Sequence, residues 1–221
     1  VVENYPYYDA TTRGVNFTGM KACLNNLPAG SVIILHACCH NPTGADLSDA
    51  QWQEVVELCR ERGLVPFLDM AYQGFADGID ADAVAVRAFS ASSSFSKSFS
   101  LYGERVGALS IVTAGKEESA RVLSQLKRVI RTNYSNPPIH GGALVAAVLS
   151  SPELRQMWET ELGGMRDRIR TMRTGLVDAI KAQGVAQDFS FVVQQRGMFS
   201  YTGLTAAQVE RMKDEFGIYA V

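Results

Sequence analysis

Residues 31–69 read SVIILHACCHNPTGADLSDAQWQEVVELCRERGLVPFLD, and this stretch decides the fold class. Ser31 to Leu35 is a short, β-branched apolar run after Pro28-Ala29-Gly30, the pattern of a buried strand in a parallel sheet. Ser48-Asp49-Ala50-Gln51 has the spacing of a capping box; Trp52, Val55, Val56 and Cys59 then follow a helical stripe, and Gly63 stands where that helix should stop. Leu64 to Leu68 is the next buried strand, ending at Asp69, with Pro66 expected to weaken its pairing at a central position. Together these make a βαβ unit. A right-handed crossover brings both strand ends to one edge of the sheet, where open α/β folds bind ligands. Asn41, Asp69 and Tyr72 all fall just past strand ends.

Outward from this unit, Val106 to Val112 reads as a further strand, Lys116 to Arg131 as a helix, and Ile139 to Leu149 as a packed helix of small apolar residues. A helical pattern also covers the region near Ala81 to Phe89. From Pro152 a long helical pattern reaches about Gln183, broken by Gly163-Gly164, where a bend or a passage between domains is expected. This divides the chain into a large domain, 1–163, and part of a small α+β C-terminal domain, 164–221. In the latter, Phe189 to Val193 and Met198 to Tyr201 read as short strands, and Thr205 caps a helix reaching Phe216.

The chain has 221 residues and 47% apolar content, enough for a full core. Lys plus Arg total 21 against 23 Asp plus Glu, so the formal charge of -2 gives no electrostatic reason to expect nucleic acid or an acidic membrane surface. Small molecules are the expected partners. No apolar run has the length of a membrane span, and Val1 to Pro6 lack the pattern of a secretory leader, so a cytoplasmic location is expected. The four cysteines, Cys23, Cys38, Cys39 and Cys59, suit free thiols. A metal site in His36-Ala37-Cys38-Cys39-His40 is not expected, because neighbours on an extended segment point to opposite faces.

The chemistry concentrates at Ser94-Phe95-Ser96-Lys97-Ser98-Phe99-Ser100-Leu101-Tyr102-Gly103-Glu104-Arg105. Lys97 is a candidate Schiff-base amine, Ser94 and Ser96 offer hydroxyls, and Arg105 offers a fork suited to a phosphate. A pyridoxal enzyme also needs an anion for its pyridine nitrogen and a donor for its phenolic oxygen. Asp69 and Tyr72 can supply them, with Asn41 nearby. Each has a plainer reading: a carboxylate capping a turn, a half-buried aromatic, turn chemistry in Asn41-Pro42-Thr43-Gly44, a solvated serine-rich loop with a surface arginine and lysine. A rival uses the same residues, since Ser94-Phe95-Ser96-Lys97 fits the S-x-x-K pattern of serine β-lactamases and penicillin-binding proteins. Tyr134-Ser135-Asn136 and Arg173-Thr174-Gly175 follow in a compatible order, although the last lies in a helical stretch rather than on a strand.

Five segments in order resemble the class I pyridoxal-phosphate aminotransferases, specifically the bacterial aspartate and aromatic amino acid aminotransferases. They are His36 to Gly44, Asp69-Met70-Ala71-Tyr72-Gln73-Gly74-Phe75, Ser94 to Gly107, Ile130 to Pro138, and Gly197-Met198-Phe199-Ser200. The resemblance implies fold-type I: an α/β large domain around a mostly parallel sheet with helices on both faces, plus the small domain. It implies that Lys97 is the Schiff-base lysine and general acid/base, that Asp69 pairs with the pyridine nitrogen, and that Tyr72 and Asn41 bind the phenolic oxygen. Ser94, Ser96 and Arg105 would hold the phosphate, and His36 would orient Asp69. Arg131 would reach into the neighbouring subunit's site and pair with a dicarboxylic substrate, which implies a homodimer with shared sites. The implied reaction is a ping-pong transamination from aspartate or an aromatic amino acid to a 2-oxo acid such as 2-oxoglutarate.

The chain departs from this pattern in three places. Family members carry an arm, a phosphate loop and a cofactor-stacking tryptophan before the point where this sequence begins, and the arginine for the substrate α-carboxylate after the point where it stops. Near Ser90-Ala91 the apolar strand that should deliver Lys97 is barely present. Missing segments are therefore expected at both ends and near 90–91, and a non-catalytic fragment or binding module of the same fold stands as the second reading.

Overall fold

The computed structural model describes residues 2–220, apart from the side chain of residue 88. A short antiparallel hairpin, β1 (Tyr8–Asp9) and β2 (Gly14–Val15), leads into α1 (Phe17–Asn25), whose start is capped by the Asn16 side chain accepting from the Gly19 amide. The βαβ unit follows as β3 (Val32–His36), α2 (Asp49–Arg62) and β4 (Val65–Met70). Both bonds of the Ser48/Gln51 capping box form, and Gly63 ends α2 in the left-handed conformation. Two short 3-10 turns, Ala81–Ala83 and Ala85–Ala88, precede β5 (Ser90–Ser94), and β6 (Gly107–Ser110) completes the sheet.

The sheet order is β3-β4-β5-β6, with the first three strands parallel and β6 antiparallel to β5. Pro66 is accommodated within β4 for a specific reason. The Val65 amide donates to Ser31 O across to the β3 side, so the missing N–H of Pro66 faces the β5 side, where pairing begins only at Phe67 and Ser90. The strand expected to be barely present is there: Ser90 to Ser94 is paired on both sides and delivers the Lys97 turn, although only Ala91 of its five residues is buried.

Alternation along the strands separates the two faces. Ile33, Leu35, Leu68, Met70 and Ala91 belong to one buried cluster with Met20 and Leu24 of α1 and with Trp52, Val55 and Cys59 of α2. On the other face Val32 and Ile34 are 66% and 62% exposed, and Val65 and Leu109 are about half exposed. β3 is thus buried on one side, not on both as its uniform apolar run suggests.

The C-terminal region contains α3 (Lys116–Asn133), α4 (Ile139–Ser150), α5 (Pro152–Ala182), α6 (Phe191–Gln194) and α7 (Ala206–Phe216). Of α4, expected to be packed, only Gly141 and Val145 are buried. The expected break at Gly163-Gly164 does not occur, and α5 runs through both glycines. Each glycine costs about 1 kcal/mol relative to alanine in a helix. Side-chain anchors on both sides of the pair offset this: Trp158 donates to Ser98 O, Leu162 lies in the core cluster, and Arg170 bonds Ala76 O.

The two strands expected in the tail are also absent. Residues 191–194 form a helical turn, and 198–201 are irregular. Tyr201 finds its partners in a side chain instead: Gln195 Nε2 donates to Tyr201 O and the Tyr201 amide donates to Gln195 Oε1, each at 2.8 Å. This replaces a strand partner. Among the described residues no helix is long and apolar enough to cross a membrane.

Candidate active site

The loop after β3 is fixed first. The Asp46 carboxylate accepts the Cys39 and His40 amides at 2.7 and 2.8 Å, and the Gly44 amide closes the turn onto His40 O at 2.7 Å. Asp46 is held above the usual carboxylate range by burial, partly offset by those two amides and by Arg196. The 195–197 segment presses on this turn. A Cβ at Gly44 would lie 2.7 Å from Gln195 Cβ, and one at Gly197 would lie 2.6 Å from Cys39 Cβ; both glycines also have positive φ. Inside the turn His40 stacks on Tyr7 at 4.0 Å, meets His36 at 4.7 Å, and pairs its Nδ1 with Thr43 Oγ1 at 2.8 Å. Burial, with His36 adding to it, lowers the His40 pKa to about 4, so the ring is neutral at physiological pH.

The turn after β4 carries Tyr72, and one carboxylate shapes the backbone behind it. Asp82 accepts the amides of Gly74, Ala76, Asp77 and Gly78 at 2.7 to 3.3 Å. The turn after β5 carries Lys97 and is closed by the Phe99 amide on Phe95 O and the Ser100 amide on Lys97 O. From α5, Trp158 Nε1 donates to Ser98 O at 2.6 Å while its ring stacks on Phe99 at 4.4 Å.

Three of the residues singled out by sequence therefore meet. Lys97 Nζ lies 4.7 Å from the centroid of the buried Tyr72 ring, and Asn41 Nδ2 donates to Tyr72 OH at 3.1 Å. Asp69 stands in register with His36 on β3 and with Ser92 on β5. Among the described residues its half-buried carboxylate has no ion pair within 4.0 Å, so it can take a cationic partner. Ser94 and Ser96 share a hydrogen bond of 3.1 Å, with Ser96 buried.

Two residues stay outside this cluster. Arg105 is exposed and donates to Tyr102 O in its own turn, and Arg131 is exposed in the last turn of α3, donating to Ser135 Oγ. The hydrolase reading does not survive: Arg173-Thr174-Gly175 lies inside α5, and Arg173 turns towards the 195–200 segment.

The His36–His40 segment departs from the extended form expected of it. Cys39 has a φ of 53°, so the segment is not extended there, and both thiols come within 4.8 Å of an Asp82 oxygen. That carboxylate is already engaged by its four amides. Contact with Cys38 and burial push the Cys39 thiol up, away from the thiolate a metal would need. All four cysteines are free thiols.

The sequence pointed to no part for Phe199, Trp158 or Asp82 in this site, and to Arg173 only within the hydrolase pattern. The Phe199 ring meets Tyr72 edge to face at 5.9 Å. Only the Gly197 to Ser200 motif pointed towards this contact, because the partners lie far apart along the chain.

The whole chain, residues 1–221, matches the family described as Aminotransferase class I and II. The aspartate aminotransferase of Pseudomonas aeruginosa is 64% identical over 227 residues, which cover 100% of this chain and 57% of that protein. The tyrosine aminotransferase of Klebsiella pneumoniae is 51% identical with the same coverage. An aromatic-amino-acid aminotransferase from Burkholderia pseudomallei, solved covalently bound to pyridoxal phosphate, superposes with a TM-score of 0.96 at 69% identity, covering 98% of this chain and 56% of that one. The chain thus spans little more than half the length of these relatives, and the matched stretch of 227 residues is six longer than its own 221. Its fold is that of the fold-type I aminotransferases, α/β around a sheet with parallel strands. The chain belongs to the class I and II aminotransferase family.

Proposed function

We propose that the protein carrying this chain is a pyridoxal 5'-phosphate-dependent aminotransferase that moves the amino group of aspartate or an aromatic amino acid to a 2-oxo acid such as 2-oxoglutarate. The observation that carries this reading is the Lys97–Tyr72–Asn41 cluster, with Asp69, three residues before Tyr72 at the end of β4, lacking an ion pair among the described residues. An amine, a phenol, an amide, an anion and paired hydroxyls are the groups this cofactor requires. When bound, the cofactor supplies an electron sink for the substrate carbon.

The residues divide the remaining work. Lys97 holds the cofactor covalently and, once released, moves a proton at its Nζ; its place over an aromatic face limits the positions the amine can reach. Asp69 keeps the pyridine nitrogen protonated by its charge, with His36 on the neighbouring strand orienting it. Tyr72 and Asn41 bind the phenolic oxygen. Ser94, Ser96 and Arg105 receive the phosphate, which requires Arg105 to leave its own turn. Arg131 pairs with the side-chain carboxylate of aspartate in the neighbouring subunit's site. A homodimer with shared sites suits its exposure and that of Leu123 and Val129 on the same helix.

We assign residues 1–163 to the large domain and 164–221 to the small one, with α5 crossing between them. We place the protein in the cytoplasm, in keeping with four free thiols and with a rice relative named as cytoplasmic. The test is a half-reaction. Aspartate added to the cofactor-loaded protein should convert the absorbance of lysine-bound aldehyde into that of the cofactor amine, and 2-oxoglutarate should reverse it. A loaded protein that responds to neither aspartate nor tyrosine would contradict the proposal.

A further inference from the structure

Arg173 is 4% exposed within α5, and among the described residues no carboxylate lies within 4.0 Å of it. Its donors are spent on one segment: Nε to Ser200 Oγ, one terminal nitrogen to Gln195 O, and the other to Gly197 O and Phe199 O. Burying a guanidinium against neutral carbonyl and hydroxyl dipoles is costly, and burial lowers its pKa. An apolar side chain would close α5 onto this segment at a smaller desolvation cost. The planar fork adds direction, because it fixes three carbonyls of a stretch that has no strand partner.

The segment has other anchors. The Arg196 amide bonds Gly44 O, the Arg196 side chain pairs with Asp77, and Gln195 holds Tyr201. Losing Arg173 therefore leaves the segment attached but frees the carbonyls at 197 and 199. Those carbonyls flank the ring that meets Tyr72 edge to face, and the face of Tyr72 lies under Lys97 Nζ.

We propose that Arg173 is a positioning residue for the Lys97 site, acting through Phe199 on the plane of the Tyr72 ring. The inference rests on the reading of Lys97 as the cofactor lysine. It assigns Phe199 a role as well, since an edge-to-face pair restrains a ring that a leucine would leave free to tilt.

The test uses the full-length protein with Arg173→Lys, Arg173→Met, Phe199→Leu and the double variant Arg173→Met/Phe199→Leu. Arg168→Gln, at an exposed position of the same helix, is the control. The first readout is the rate at which added pyridoxal phosphate, trapped with borohydride, appears on the Lys97 peptide. The second is the split between kcat and KM for aspartate. Arg173→Met and Phe199→Leu should each slow labelling and lower kcat about three- to tenfold, the loss expected from one aromatic pair, with KM changed less than about twofold. Arg173→Lys should fall between Met and the parent, Arg168→Gln should match the parent, and the double variant should be no slower than Arg173→Met. Parent-like labelling in folded Arg173→Met, or single effects that multiply in the double variant, would overturn the proposal. If Arg173→Met does not fold, parent-like labelling of Phe199→Leu overturns it equally. A parent protein that never labels Lys97 would instead sink the aminotransferase reading itself.

Discussion

The two ends of the candidate cofactor site are held in different ways. At the ring end, Asn41, Tyr72, Lys97 and Phe199 come from four distant segments and meet through one buried tyrosine. At the phosphate end, Ser94, Ser96 and Arg105 come from one short stretch; the serines bond each other, and Arg105 bonds its own turn. Local turn chemistry suffices for the second arrangement. The first needs remote supports: Asp82 behind the Tyr72 turn, Trp158 under the Lys97 turn and Arg173 behind Phe199. The ring end should therefore be sensitive to residues that touch no ligand, and the phosphate end only to its own side chains.

Removing the amine at the centre of the ring end has the largest expected effect. Lys97→Ala should lower transamination by at least about three orders of magnitude, since nucleophile and proton carrier are lost together, while the thermal midpoint stays within a few degrees. A remote support comes next. Asp82→Ala strands buried backbone amides and should lower unfolding stability by about 3 kcal/mol in urea titrations, with cofactor affinity falling alongside. If stability falls while Lys97 labelling and affinity are untouched, the Asp82 turn is not a support of the site.

Arg105→Lys should weaken cofactor affinity about tenfold, because a fork is replaced by a point charge, with unfolding stability unchanged within about 0.5 kcal/mol. A large stability loss there would erase the contrast between the two ends. Trp158→Phe keeps the ring stacked on Phe99 and removes only the N–H to Ser98 O. It should cost about 1 kcal/mol and slow Lys97 labelling more than Arg105→Lys does.

The smallest effect concerns pH. His40 titrates near its ordinary 6.5 in the unfolded chain but at about 4 in the fold. Between those values the unfolded state binds the extra proton, so stability attributable to His40 is present above pH 6.5 and lost as pH falls towards 4. Asp46, whose carboxyl is raised, contributes with the opposite sign. The thermal midpoint of the parent minus that of His40→Gln, followed from pH 7 to 4, isolates the histidine and should shrink on acidification. A constant difference would remove His40 as the cause.

Local signals in the sequence carried the βαβ unit: a capping box at Ser48, a stop at Gly63 and two β-branched runs are each written within a few residues. Asn41, Asp69 and Tyr72 were found for the same reason, as short motifs past strand ends, and Lys97 by the serines and the arginine written around it. Elements decided by distant partners were not found. Gln195 standing in for a strand beside Tyr201, α5 persisting through Gly163-Gly164 and Arg173 gripping three carbonyls all depend on contacts between segments that composition does not connect. β5 is the converse case. A run of serines has little strand preference of its own, yet pairing with β4 and β6 on both sides holds it extended.

The central claim is that Lys97, alone among Lys21, Lys97, Lys116, Lys127, Lys181 and Lys213, holds the cofactor. Its most direct test is to saturate the full-length protein with pyridoxal phosphate, reduce with borohydride, and quantify the modified peptides by mass spectrometry. The predicted result is one pyridoxyl group per chain, confined to Lys97. Label spread over the exposed lysines with Lys97 unmodified would contradict the account.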